Sequence, residues 1–201
     1  GLPESNLIVG NGAIELIYNF CNSFLSKKRI LIPVPTFQEY EAATKLADCK
    51  MIFFKTMNLD QNLDSFISKI PKNGCVFVCN PNNPTGKILP ENIQDKIINL
   101  AKKKNLYVLS DEIYSQYAYE NWKSVLSYNY NKSIVTQSFS KSHSMTGYRI
   151  GYAVASQDLI NKMASLQALC MTNVSEPIQY VALQALDADV SNNAKMARSK
   201  L

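Results

Sequence analysis

Residues 75–111 read CVFVCNPNNPTGKILPENIQDKIINLAKKKNLYVLSD, and this stretch decides the fold. Cys75–Cys79 is a short, continuously apolar run, the pattern of a strand buried on both faces. It runs straight into Asn80-Pro81-Asn82-Asn83-Pro84-Thr85-Gly86, a loop made almost entirely of turn-forming residues. Pro90 then opens a long amphipathic helix reaching about Lys104, and Leu106–Ser110 forms the next strand, ending at Asp111. Strand, helix and strand in succession predict an α/β fold with a largely parallel sheet.

The same alternation extends in both directions. Residues 13–26 carry apolar side chains at helical spacing after Gly10-Asn11-Gly12. Arg29–Pro33 reads as a strand, 37–47 as a helix, Lys50–Lys55 as a strand and 62–70 as a helix stopped by Pro71. Downstream, Ser133–Gln137 is a strand ending at Ser138-Phe139-Ser140-Lys141, Ile150–Ala155 is another, and from Gln157 the chain reads as helical nearly to Leu201. The expected architecture is a mostly parallel mixed sheet flanked by helices, in three layers, as one domain over 1–201. The polar stretch 192–201 ends inside a helical pattern, which predicts a clipped chain.

Bulk composition narrows the function classes. Hydrophobic residues make up 46% and charged residues 18% of the 201, a globular balance and not a disordered one. The net charge of +5 comes from scattered basic residues. The runs Lys27-Lys28-Arg29 and Lys102-Lys103-Lys104 fall at expected helix ends, where cations suit the helix dipole, so no nucleic-acid partner is predicted. The five cysteines are odd in number and lack C-x-x-C spacing, and Cys75 and Cys79 flank an apolar strand as buried thiols would, so a reducing, cytoplasmic compartment and no metal site are expected. No apolar run approaches the roughly 18 residues that span a bilayer.

Open α/β sheets bind ligands beyond the carboxyl ends of their strands. Asn83, Asp111 and Lys141 all follow such ends. Lys141 lies in Ser138-Phe139-Ser140-Lys141-Ser142-His143-Ser144-Met145-Thr146-Gly147-Tyr148-Arg149-Ile150-Gly151, among hydroxyls and with an arginine eight residues on. A lysine that loses its charge readily suits Schiff-base chemistry with a carbonyl. Asp111 could instead be a helix N-cap, Tyr114 a packed aromatic, Asn83 a turn residue and Phe37 a core side chain.

The lysine segment resembles the signature of the class I/II aminotransferases, the fold-type-I enzymes that use pyridoxal 5'-phosphate (PLP). Asn83-Pro84-Thr85-Gly86 and Asp111-Glu112-Ile113-Tyr114 resemble that family's two other cofactor signatures, in the same order. The resemblance covers essentially the whole chain. It implies Lys141 as the Schiff-base lysine and Asp111 as the carboxylate facing the pyridine nitrogen. It also implies Tyr114 and Asn83 on the ring oxygen and Phe37 stacked on the ring. The phosphate falls to Gly12, Ala13, Ile14, Ser138, Ser140 and Arg149. Where many members carry a hydroxyl, this chain has Ile14, which can offer only its backbone N–H. The family uses the released lysine as the base, which leaves His143 without that part.

The implied reaction moves an amino group from an amino acid, or an amine derived from one, to a 2-oxo acid, in a homodimer. The resemblance further implies that an N-terminal arm and a C-terminal small domain lie outside residues 1–201. Residues 32–47 resemble members acting on histidinol phosphate or phosphorylated threonine, whereas the lysine segment resembles aspartate enzymes. Two alternatives share the core: a carbon–sulfur lyase or decarboxylase, and the non-catalytic sensor domain of a transcription regulator.

Overall fold

A computed structural model describes residues 2–199. In chain order the elements are β1 (Leu7–Gly10), α1 (Ala13–Phe24), β2 (Arg29–Val34), α2 (Glu39–Leu46), β3 (Lys50–Lys55), α3 (Leu63–Lys69), β4 (Gly74–Cys79), α4 (Glu91–Lys104), β5 (Tyr107–Asp111), β6 (Ser133–Ser138), α5 (Phe139–Ser142), β7 (Gly151–Ala155), α6 (Gln157–Cys170), α7 (Glu176–Leu186) and α8 (Ser191–Arg198). Seven strands form one sheet in the order β1-β7-β6-β5-β4-β2-β3. The pairs β2–β3, β2–β4, β4–β5 and β5–β6 are parallel, and β7 runs antiparallel to both its neighbours.

Alternation along the central strands builds two cores. Ile30, Ile32, Cys75, Phe77, Leu109 and Ile134 face α1, α2 and α6 through Leu16, Phe20, Tyr40, Ala43, Leu159 and Met163. Leu31, Val76, Val78, Val108 and Val135 face α3 and α4 through Phe66, Ile93, Ile97 and Ile98. Side chains of successive strand residues point to opposite faces, so an unbroken apolar strand requires helices on both sides. The three-layer α/β/α arrangement follows.

Two features differ from expectation. The strand β1 went unread because it is only four residues long, Leu7–Gly10, and merges with the glycine turn that follows it. The helical reading from Gln157 to the C-terminus is corrected to three helices, with Lys200 and Leu201 outside the described residues. The first break comes at 171–175, where Thr172 is left-handed (φ 64) and Pro177 stands in the first turn of α7, having no N–H to continue a preceding helix. The second is a turn in which Asp189 Oδ1 accepts the Ser191 N–H at 2.9 Å.

The sheet order changes direction between β2 and β4, and the loops after them leave a crevice of the kind that binds ligands in such folds. At the other side of this edge Gly10, Gly151 and Ser138 stand in one register row. The start of α1 lies against that row. A Cβ on Gly151 would come within 2.6 Å of the Ala13 nitrogen and 2.8 Å of the Gln137 oxygen, both backbone atoms that cannot swing aside. Gly151→Ala is expected to destabilise the protein by about 1–3 kcal/mol, read as a lowered urea midpoint with an unchanged slope.

Candidate active site

Asp111 ends β5 with only 2% of its surface exposed. Its Oδ2 accepts the Tyr40 phenol at 2.6 Å and its Oδ1 the Thr136 hydroxyl at 3.2 Å, and the Ile113 backbone N–H donates as well. Every partner is neutral. The single salt bridge among the described residues joins Lys123 to Glu91 and does not include Asp111. Burial therefore pushes the Asp111 carboxyl above its ordinary value of 3.8, and the three donors only partly oppose it. No helix begins at Asp111; the N-cap alternative reduces to the local bond from Ile113.

The next residue, Glu112, is equally buried but differently employed. Its oxygens accept Ser110 Oγ at 2.9 Å, the Val125 N–H at 2.9 Å and Ser124 Oγ at 2.8 Å. These bonds tie the loop after β5 back onto itself, and that loop carries Tyr114. The Tyr114 ring is half-buried near Cys79 and Asp111, and burial raises its phenol pKa. The phenol itself enters no hydrogen bond among the described residues.

Of the three asparagines after β4, two are spent on structure. Asn80 Oδ1 accepts the Leu89 N–H at 2.9 Å, and Asn82 bonds Thr36, Pro35 and Thr85. The Asn83 side-chain amide bonds nothing among the described residues. Phe37 is half-buried and meets Tyr40 edge-on at 5.5 Å.

Lys141 sits on α5, a single turn whose N-cap is Ser138, with its side-chain oxygen accepting the Ser140 N–H. The Tyr117 phenol donates to the Lys141 carbonyl at 2.9 Å and Asn193 donates to that of Ser142 at 2.9 Å, so the turn is fastened from two sides. The Lys141 side chain is half-buried, less enclosed than its hydroxyl-rich sequence suggested, and its amine has no hydrogen-bond or ion-pair partner among the described residues. The His143 ring lies 4.8 Å from that of Phe139 and its Nδ1 is 2.8 Å from Ser142 Oγ, and burial lowers its pKa.

The fourth part of the site is the start of α1. Gly12 is its N-cap at φ 83 and supplies no side-chain cap, so the first N–H groups, among them those of Ala13 and Ile14, have no partner within the helix. Arg149, itself left-handed at φ 53, lies directly over Gly12: a Cβ there would stand 2.6 Å from Arg149 Nη2. A non-glycine residue held left-handed stores strain of the kind found at functional sites. Ser140 Oγ lies 3.0 Å from Ser138 Oγ, so both hydroxyls are partly occupied with each other.

Sequence reasoning missed Tyr40, Thr136 and Glu112. Tyr40 carried a signal, three residues after Phe37 and so on one face of the helix expected over 37–47, although α2 begins only at Glu39. Thr136 depends on the β5–β6 register, which pairs it with Asp111, and nothing in the sequence displays that register.

These strand ends and helix start define a fold-type-I, cofactor-binding α/β core. The chain belongs to the aminotransferase class I and II family, whose model matches residues 2–200. Among curated relatives it is 33% identical over 197 residues to an aspartate aminotransferase of Pyrococcus horikoshii, covering 94% of this chain and 50% of that protein. It is 31% identical to a histidinol-phosphate aminotransferase of Moorella thermoacetica, over 98% of this chain and 52% of that protein. A solved aspartate aminotransferase from Thermotoga maritima superposes with a TM-score of 0.90 at 27% identity, covering 96% of this chain and 54% of that one. The chain thus spans about half the length of the curated relatives it matches.

Members of this family are enzymes that work with PLP. The donor set here fits that group: a helix start crossed by an arginine for a phosphate, an unbonded amine for an aldehyde, and a buried carboxylate lacking a cation for a protonated ring nitrogen.

Because burial lifts Asp111, the folded chain binds its proton more tightly than the unfolded chain. The resulting stability is fully present below pH 3.8 and is lost as pH rises through the raised folded value. Asp111→Asn is therefore expected to raise the melting temperature of the cofactor-free protein at the upper end of a pH series, by about 2–4 °C for each kcal/mol relieved. The two proteins should converge at the acid end.

Proposed function

We propose that this chain forms the cofactor-holding core of a PLP-dependent aminotransferase, which moves an amino group from an amino acid or a derived amine to a 2-oxo acid. One observation carries the reading: Asp111 is a buried carboxylate with only neutral partners, on the same sheet edge as the unbonded amine of Lys141. A buried charge ordinarily has a charged partner or costs several kcal/mol, so a carboxylate kept this way suits a cation supplied from outside the chain.

When bound through its aldehyde carbon to Lys141, PLP supplies an electron sink for charge developing at the substrate Cα. The chain's own residues do the rest. Asp111 holds the proton on the ring nitrogen. Arg149, with the N–H groups of Ala13 and Ile14 beside Gly12, grips the phosphate, aided by Ser138 and Ser140. Tyr114 and Asn83, each with an unspent polar group, orient the ring oxygen, and Phe37 covers the ring. The Lys141 amine, freed when the substrate amine takes its place, would accept the proton from the substrate Cα and return it to the former aldehyde carbon of the cofactor. A homodimer in the cytoplasm belongs to the same proposal; it rests on the family resemblance and on five thiols with no disulfide among the described residues. The similarity to aspartate and histidinol-phosphate aminotransferases makes those two amines the first donors to try.

Borohydride added to the PLP-loaded protein is expected to fix the cofactor covalently on Lys141, located by peptide mass. Lys141→Ala should remove that label and lower turnover by about 10²–10⁴-fold. Labelling of another lysine, or full turnover by the variant, contradicts the assignment. Assays with 2-oxoglutarate should yield keto acid, and release of sulfide or carbon dioxide instead would identify a lyase or a decarboxylase. Arg149→Ala is expected to weaken PLP binding by about tenfold to a hundredfold, read by absorbance titration.

A further inference from the structure

Tyr40 has no part in the signatures read from the sequence, yet it makes the shortest contact to Asp111, at 2.6 Å. It projects from α2 and is 1% exposed. Its ring is held edge-on between Phe37 and Phe77, at 5.5 Å from each and with interplanar angles of 85° and 88°. So clamped, the phenol has little freedom to leave the carboxylate. Thr136 holds the opposite oxygen from β6, at 3.2 Å.

We propose that Tyr40 is a positioning residue of the active site, which aims the Asp111 carboxylate, shares its charge and links it rigidly to Phe37. The proposal rests on the assignment of Asp111 to the cofactor ring. Burial, then Asp111 itself, pushes the Tyr40 phenol well above its ordinary value, so it acts as a donor and never as a second anion. The other groups around Asp111 are also uncharged at neutral pH: the Cys79 thiol on β4 is pushed up to about 12, Thr136 is a hydroxyl, and the Tyr114 phenol is raised. The Glu112 carboxylate is saturated by Ser110, Ser124 and Val125. After burial itself, Tyr40 is thus the strongest influence on how tightly Asp111 binds a proton, and the first among its hydrogen-bond donors. Without its donor, Asp111 becomes more basic and draws the shared proton away from the ring nitrogen, which weakens the electron sink.

Tyr40→Phe tests this cleanly, because it keeps the ring, its volume and both edge-on contacts and deletes only the O–H. In the cofactor-free protein, the Asp111 carboxyl ¹³C resonance should titrate about one to two pH units higher in the variant. Thr136→Val, which removes the longer bond, should give a smaller shift in the same direction. In the PLP-loaded protein, the pH midpoint of the cofactor's visible band should move and kcat should fall about tenfold, with KM changed less than twofold. Identical Asp111 titration in Tyr40→Phe and wild type would overturn the proposal, as would an unmoved visible-band midpoint accompanied by nothing more than a lowered melting temperature. The carboxyl titration needs no cofactor. A wild-type protein that fails to trap PLP on Lys141 would count against the assigned function without disturbing that readout.

Discussion

The structure turns on one buried carboxylate. Asp111 lies at the end of the central strand β5, roofed by α2 and flanked by β4 and β6, and it accepts hydrogen bonds only from neutral donors. Each neighbouring element contributes to holding it: Tyr40 from α2, Thr136 from β6, and Cys79 and the Asn80 turn from β4. The Asn80 N–H donates to the Asp111 carbonyl at 2.9 Å, so even the backbone at this point fixes the loop that presents Asn83. Moving Asp111 would disturb the placement of Phe37, Asn83 and Tyr114 together. This coupling explains how residues from three separate loops come to share one edge.

The adjacent Glu112 shows why burial alone does not mark a functional acid. It is as buried as Asp111, and burial raises its pKa in the same way. Its three donors all come from Ser110 and the segment 124–125, so its bonds close a loop. The donors of Asp111 that come from afar belong to α2 and β6, and its carboxylate stands where the parallel strands end. Neighbouring carboxylates in one environment thus divide into a loop staple and, under the proposed function, a group that faces the cofactor, according to which elements supply their partners. Natural sites commonly carry such a destabilising charge in exchange for activity.

Much of this was readable from residue order. The strand–loop–helix–strand unit at 75–111 fixed the layer arrangement, because an apolar run too short for a helix and covered on both faces has few other homes. The three motifs placed Asn83, Asp111 and Lys141 at strand ends, where the structure has them. Arg149 was matched with Gly12, 137 positions earlier, only through the family resemblance, and the left-handed backbone at both residues was not legible at all. Tertiary register hid the rest: Thr136 meets Asp111 because β5 and β6 pair in one particular alignment, and Tyr40 does so because α2 packs over β4. The break at 171–175 did carry signals, the weak helix formers Thr172, Asn173, Val174 and Ser175 followed by Pro177, but the helical patterns on either side outweighed them.

Under the proposed function, Asp111 keeps a proton on the nitrogen of a bound pyridine ring. Nitrogen NMR of the protein loaded with ring-¹⁵N PLP measures this directly. A protonated nitrogen at neutral pH in the wild type, becoming neutral in Asp111→Asn, is the predicted result. A ring nitrogen that is already unprotonated in the wild type would contradict it.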